Sequence, residues 1–289
     1  MKIFQYMVLA LGLATVQAAE ETVKAVAPVD TMTMVQDARC RQVLVTCQIN
    51  GVPMRMMLDT GATNTVLHSG SLSKLKKPMK MDTSHIQFSG NAKERPDVYL
   101  LNVVIAGNRV PNHPVMVLSL DGARSLMAEQ IDGIIGMDFL GALPFTFDVA
   151  SGKLHWGLPE GPLKLAPLYG SKDGGNRLFM NILCDGKPYE ILLDSGSTIT
   201  RLPQSAWPAG AAHTTDLSVS DVNDAAAISA TVGKPGVVQL APGVQLEGVT
   251  PVFCGEEEKG ILGMDILSRV RLIHVPSTSQ ASGCFFIAL

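Results

Sequence analysis

The chain has 289 residues, 46% of them hydrophobic and 17% charged, which is enough for a sizeable apolar core in one large domain or two modest ones. Its formal net charge is −3, and its charges are scattered without a long basic run, which argues against nucleic acid as a partner.

The first signal along the chain is N-terminal. Lys2 leads into IFQYMVLALGLATVQAA, an apolar stretch of 17 residues that stops before Glu20 and Glu21. It is shorter than the ~20 residues of a membrane span. A positive start, an apolar middle and small residues at the end predict a secretory signal over residues 1–18, cut after Ala18. The expectation is an exported protein, periplasmic or secreted, with no stable membrane insertion after signal cleavage. Residues 19–35 lack clear periodicity and read as an N-terminal tail or short pro-segment. The five cysteines are Cys40, Cys47, Cys184, Cys254 and Cys284. None has zinc-like spacing with His, and the odd number leaves at least one thiol free in an oxidising compartment. Cys254 with Cys284 is the favoured bridge.

From residue 41 the chain carries short β-branched or alternating runs, RQVLVTCQI, YLLNVVIAG and HPVMVLSL, punctuated by Gly, Asn and Pro. That is a β-rich pattern. Within it lies MMLDTGATNTVL (56–67), and about 135 residues later comes ILLDSGSTITRL (191–202). The agreement extends to both sides. INGVPMRMMLD (49–59) aligns with CDGKPYEILLD (184–194), each entering its strand through an Asn-Gly or Asp-Gly hairpin turn. IDGIIGMDFLG (131–141) aligns with EKGILGMDILS (258–268), and each copy ends in an apolar hairpin. The chain therefore reads as an internal repeat: two homologous lobes, 36–158 and 174–289, joined by a Pro- and Gly-rich linker over 159–173.

One Asp beside a Gly turn is adequately explained as a structural residue bonding its own backbone. Two related turns on two related lobes have a further use, because a pseudo-two-fold axis can bring Asp59 and Asp194 to one place. Two carboxyl groups about 3 Å apart cannot both ionise cheaply and hold one proton between them. Such a pair can take a proton from water while giving one to a carbonyl oxygen, as attack on a peptide bond requires. Gly61 and Gly196 let the two loops approach, Thr60 and Ser195 supply short hydroxyls able to tie one loop to the other, and Thr63 and Thr198 can bond within their own loops.

These residues carry a resemblance. D-[TS]-G-[AS]-T after an apolar strand, with apolar-apolar-Gly downstream, resembles the aspartic protease signature, and the wording DTGATNTVL is most similar to retropepsins and retropepsin-like bacterial proteases of the periplasm. Two copies in one chain resemble the bilobal layout of pepsin. The resemblance implies an all-β fold of two retropepsin-like β-barrel lobes about a pseudo-two-fold axis. It implies an aspartic-type endopeptidase (a peptide hydrolase working by proteolysis) with Asp59 and Asp194 as the catalytic pair. It implies no cofactor and no metal, a peptide or protein substrate, and a monomer whose lobes pair intramolecularly. The alternative is a non-catalytic peptide- or protein-binding module that retains the fold. Asn64 against Ile199, and Val66 against Arg201, make the two halves unequal, so Asn64, Ile199 and Arg201 are candidate substrate-binding residues. Gly90 is the candidate tip of a flap over the cleft, within 84–99, and 216–233 is a second candidate flap. Asp138 and Asp265 read as caps of short helices rather than catalytic acids. His68 and His155 lack partners at metal-ligand spacing.

Overall fold

The computed structural model describes residues 31–83, 96–157, 166–167, 176–206, 216–220, 227–241, 244–254, 259–275 and 284–288. The expected signal, Gly90, most of the linker and both flap tips (84–95 and 221–226) lie outside these residues, as does the side chain of Cys284 in the expected bridge.

The chain is all-β, folded as two barrel-like lobes related by a pseudo-two-fold axis, and its helices among the described residues are one or two turns long. Each lobe begins with the predicted hairpin. Val43–Ile49 pairs antiparallel with Val52–Leu58, and Phe179–Cys184 pairs with Lys187–Leu193. The turns between them carry positive φ at both central residues: +48° and +78° at Asn50-Gly51, +47° and +77° at Asp185-Gly186. That is the geometry whose twist matches the flanking strands, and it is why Asn-Gly and Asp-Gly stand there. Along Val43–Ile49 the side chains at 45, 47 and 49 are buried while those at 46 and 48 are exposed, so the register is set by which face meets the core.

The acid-bearing strand of each lobe then makes a parallel pairing: Val52–Leu58 with Gly133–Ile135, and Lys187–Leu193 with Gly260–Leu262. The chain leaves that strand through the Asp turn and returns on the other side of the same Gly-rich strand. There Val66–His68 pairs antiparallel to it through Val66↔Ile134, and Arg201–Leu202 does so through Arg201↔Ile261. Each Asp loop is thus looped around a three-residue strand that holds it on both flanks.

A third sheet belongs to both lobes. Phe145–Asp148 lies between Lys153–Trp156 of its own hairpin and Arg271–Val275 of the other lobe, with Phe147 opposite Leu272 and Asp148 opposite Arg271. Arg271 donates to the Asp148 carboxylate at 2.7 Å, an ion pair across the lobe boundary. Burial alone would push the Asp148 carboxyl up, but the Ser151 N–H and the Arg271 guanidinium outweigh it and hold the group below the ordinary carboxylate range. One continuous apolar core runs beneath these sheets from Met34 to Leu272, including Met56 and Leu58 of one acid strand and Ile191 and Leu193 of the other. The segment read as a tail is corrected at its end: Thr31–Thr33 pairs with Lys153–Trp156, and Val35–Gln36 pairs with the start of the Val43–Ile49 strand. Both are edge pieces, mostly exposed, which is why no strong periodicity announced them.

Candidate active site

Asp59 and Asp194 each follow the last residue of a buried strand, and each is fixed at its backbone by the neighbouring Gly-rich strand. Asp59 N–H donates to Ile135 O, and Asp194 N–H donates to Leu262 O, both at 3.0 Å. Their side chains are turned back by their own loops. Gly61 N–H and Ala62 N–H donate to Asp59 Oδ1 at 2.8 and 3.0 Å, and Gly196 N–H donates to Asp194 Oδ1 at 2.8 Å.

The two loops are stitched together by a reciprocal set of bonds. Thr60 N–H donates to Ser195 Oγ at 3.0 Å, and Ser195 N–H donates to Thr60 Oγ1 at 3.0 Å. The hydroxyls pass the pattern on: Thr60 Oγ1 donates to Leu193 O at 2.9 Å and Ser195 Oγ donates to Leu58 O at 2.8 Å. Each hydroxyl therefore accepts from one backbone and donates to another, and both residues are buried. This lattice brings the Asp59 and Asp194 carboxyls within hydrogen-bonding reach of each other. The absence of a Cβ at the glycines is a requirement of that approach. A Cβ on Gly196 would stand 2.5 Å from Asp59 Cγ, and one on Gly61 would collide with the Asp194 carboxyl.

Both Asp residues keep some exposure to solvent, yet protein surrounds their carboxyls on nearly all sides. Burial first, and then the neighbouring Asp194 charge, push Asp59 well above the ordinary carboxylate range. Burial also raises Asp194, but its hydrogen bond from Asp59, the Gly196 N–H and the positive charge of Arg201 work in the opposite direction. Both members are raised, so the pair is built to hold a proton between them.

Among the other residues singled out, Thr63 accepts at its carbonyl from Asp138 N–H at 3.1 Å, and Thr198 does so from Asp265 N–H at 3.2 Å. These bonds tie each loop to the short helix after the Gly-rich strand, and Thr198 Oγ1 also accepts from the Gln42 amide of the other lobe at 3.4 Å. Asn64 and Ile199 are half-buried, and Ile199 packs on a small cluster of Ala230, Val252 and Cys254. Arg201 is half-buried, across the Gly260–Leu262 strand from Asp194. Asp138 and Asp265 are not caps. The N-cap positions are Gly136 and Gly263, with no side-chain capping bond. Instead each carboxylate reaches across to the end of its Asp loop, where Thr65 Oγ1 donates to Asp138 at 2.8 Å and Thr200 Oγ1 donates to Asp265 at 2.7 Å. The same hydroxyls accept from Gly136 N–H and Gly263 N–H. Thr65 and Thr200 were missed as site residues although they recur in register six positions after each Asp, a signal plainly present in the repeat. Gln42 was missed as well. It is buried, and its side-chain amide crosses to the other lobe, donating to Gly196 O at 2.7 Å. Nothing marked it, because the repeat places Arg177 at its counterpart position.

A bilobal β-fold with one Asp-Gly loop from each lobe meeting at a shared pair of carboxyls defines the chain as aspartic protease-like. An aspartyl protease family model matches residues 45–139, which contain Asp59 and the GIIGMD segment. Over the whole fold the chain is similar to the crystal structure of basic 7S globulin from soybean, with a TM-score of 0.56 at 12% sequence identity, covering 89% of this chain and 94% of that one. At that identity the likeness concerns the fold alone. No curated protein matches the sequence at a significant level.

Proposed function

We propose that the protein is an exported aspartic endopeptidase in which Asp59 and Asp194 activate a water for attack on a peptide bond. The observation that carries the reading is the pair of carboxyls, held within hydrogen-bonding reach by two repeated loops and pushed toward sharing one proton. In the hydrolysis, the ionised carboxylate takes a proton from water as its oxygen bonds to the carbonyl carbon. The protonated partner gives its proton to the carbonyl oxygen. In collapse of the resulting gem-diol the C–N bond breaks, the carboxyl that took the proton from water gives it to the departing amine nitrogen, and the other carboxylate takes back a hydroxyl proton, leaving the acid product and the pair in its starting state. The loop N–H groups keep both carboxyls aimed at one point, so no reorganisation accompanies the proton transfers. The substrate is a peptide or protein, without cofactor or metal, and the working form is a monomer in which the two lobes of one chain complete the site.

The test is Asp59→Asn and Asp194→Asn, each assayed on an unfolded protein substrate over a pH series. Each variant is expected to lose turnover by a factor of about a hundred or more while keeping its fold. Wild-type turnover in either one rules the shared pair out. Peptide binding without turnover in the wild-type protein would replace the enzyme by a binding module of the same fold. Export is tested separately by the mass of the protein recovered outside the cytoplasm, which is expected to begin at residue 19.

A further inference from the structure

The two halves of the site are alike in backbone and unlike in charge. Val66 and Arg201 occupy the same place in their lobes. Each opens the strand that follows the Asp loop, and each pairs with the middle residue of the Gly-rich strand, Ile134 or Ile261. The outer neighbour is also the same, a parallel pairing with Met116 in one lobe and Val252 in the other. In the first lobe the position is apolar and buried, Val66 packing with Cys40, Leu44, Met57 and Ile134. In the second it carries a guanidinium whose Nε is buried and makes no hydrogen bond among the described residues.

Arg201 is therefore not there to satisfy a local partner at Nε, nor does an apolar cluster call for it. What the register places near it is Asp194. Asp194 N–H is bonded to Leu262 O on one side of the Gly260–Leu262 strand, and Arg201 pairs with Ile261 of that strand on the other. Two inter-strand spacings amount to about 10 Å, over which a charge still acts strongly when protein rather than water lies between. Asp59 has no cation at the corresponding place, since Val66 stands there.

The other charged groups around this region are engaged elsewhere. Glu190 and Lys259, on the strand beside and at the entry to Gly260–Leu262, pair with each other at 3.1 Å. Asp138 bonds Thr65 and His113, and Asp265 bonds Thr200. Arg177, the counterpart of Gln42, lies over the Phe179 ring at 6.0 Å.

We infer that Arg201 fixes the division of labour within the pair, its positive charge holding the shared negative charge on Asp194 and leaving the shared proton on Asp59. Under the proposed function, Asp194 is then the base toward water and Asp59 the acid toward the carbonyl oxygen. Arg201 touches neither reactant and acts through Asp194, as a positioning residue for charge. The same two Asp loops on two identical lobes would divide the proton evenly. Here the proton has a preferred side before any substrate arrives.

The test reads the charge directly, independent of turnover. Protein labelled with carboxyl-13C aspartate is titrated by NMR, with the signals of the pair assigned through Asp59→Asn and Asp194→Asn. In Arg201→Gln the lower apparent pKa of the pair is expected to rise by about one pH unit, and the charge is expected to spread onto Asp59. Arg201→Lys, which keeps the charge, is expected to titrate close to wild type. Arg201→Val, copying the first lobe, should behave like Arg201→Gln and covers the case in which a buried glutamine unfolds the lobe. In kcat/KM against pH, the acid limb should move upward with the NMR value in the Gln and Val variants and stay in place in the Lys variant. An unchanged titration in folded Arg201→Gln or Arg201→Val overturns the inference. So does an unchanged titration together with lost selectivity for acidic peptides, which would make Arg201 a substrate contact. A wild-type protein that shows the Arg201-dependent titration but no turnover would sink the proposed function and leave this inference standing.

Discussion

Thr65 and Thr200 each place one hydroxyl between a Gly N–H and an Asp carboxylate, and both residues are buried. Replacing either by Val keeps the shape and removes both bonds, leaving a buried amide without its acceptor and a half-buried carboxylate short of one donor. Thr65→Val and Thr200→Val are each expected to cost about 1–3 kcal/mol in chemical denaturation; a loss within experimental error would show that water takes over the bonds. Gly196 makes a different demand, for space. In Gly196→Ala the new methyl would meet the Asp59 carboxyl, and an overpacked site of this kind costs about 1–3 kcal/mol. The larger expected effect is on chemistry, because the methyl separates the carboxyls. Turnover should fall far more than the melting temperature, and a variant losing stability and activity in proportion would contradict this placement.

At the level of elements, the strands Phe145–Asp148 and Arg271–Val275 bind one lobe to the other, and their ion pair has a definite pH signature. Asp148 titrates below the ordinary carboxylate range in the folded protein, so its contribution is present above that range and disappears as pH falls through the folded value. Asp148→Asn is expected to be less stable at neutral pH by about 1 kcal/mol, a figure kept small because the Arg271 side chain is half exposed, and the gap should close on acidification. Urea unfolding at several pH values checks both statements. The hairpins and the two acid turns were legible in advance, because Asn-Gly, Asp-Gly and the words repeated around them are local and doubled; that each acid turn wraps around a Gly-rich strand came only with the pairings. The shared sheet was not legible as such. Each of its hairpins could be read, and Phe145–Asp148 and Arg271–Val275 are counterparts across the repeat, but the pairing of residues 148 and 271 across the lobe boundary has no local signature. Gln42 was hidden for a different reason, the repeat placing Arg177 at its counterpart position, whereas Thr65 and Thr200 recur in register and were readable from the repeat.

Over the whole molecule, two groups of acids pull stability in opposite directions. Asp37, buried and surrounded by the N–H groups of Arg39, Cys40, Ala128 and Glu129, stays ionised far below the ordinary range despite its burial. Together with Asp132 and Asp148 it favours the folded state at neutral pH and withdraws that support in acid. Asp59 and Asp194 do the reverse. Their folded values lie above the ordinary 3.8, so the folded state binds more protons, and their contribution declines as pH rises from about 4 through the raised values. Asp59→Asn is therefore expected to be more stable than wild type at neutral pH, with the difference shrinking toward pH 4 in thermal unfolding scans. A destabilised variant at neutral pH would mean that the pair is not under charge strain. The shared sheet also sets a timetable for the newborn chain. The edge of Phe145–Asp148 waits for Arg271–Val275, which lies 123 residues downstream from Asp148 to Arg271, so at ~5–20 residues per second the first lobe spends on the order of ten seconds with that edge open. An open strand edge invites pairing with other chains, and assembly of the second lobe is what closes it.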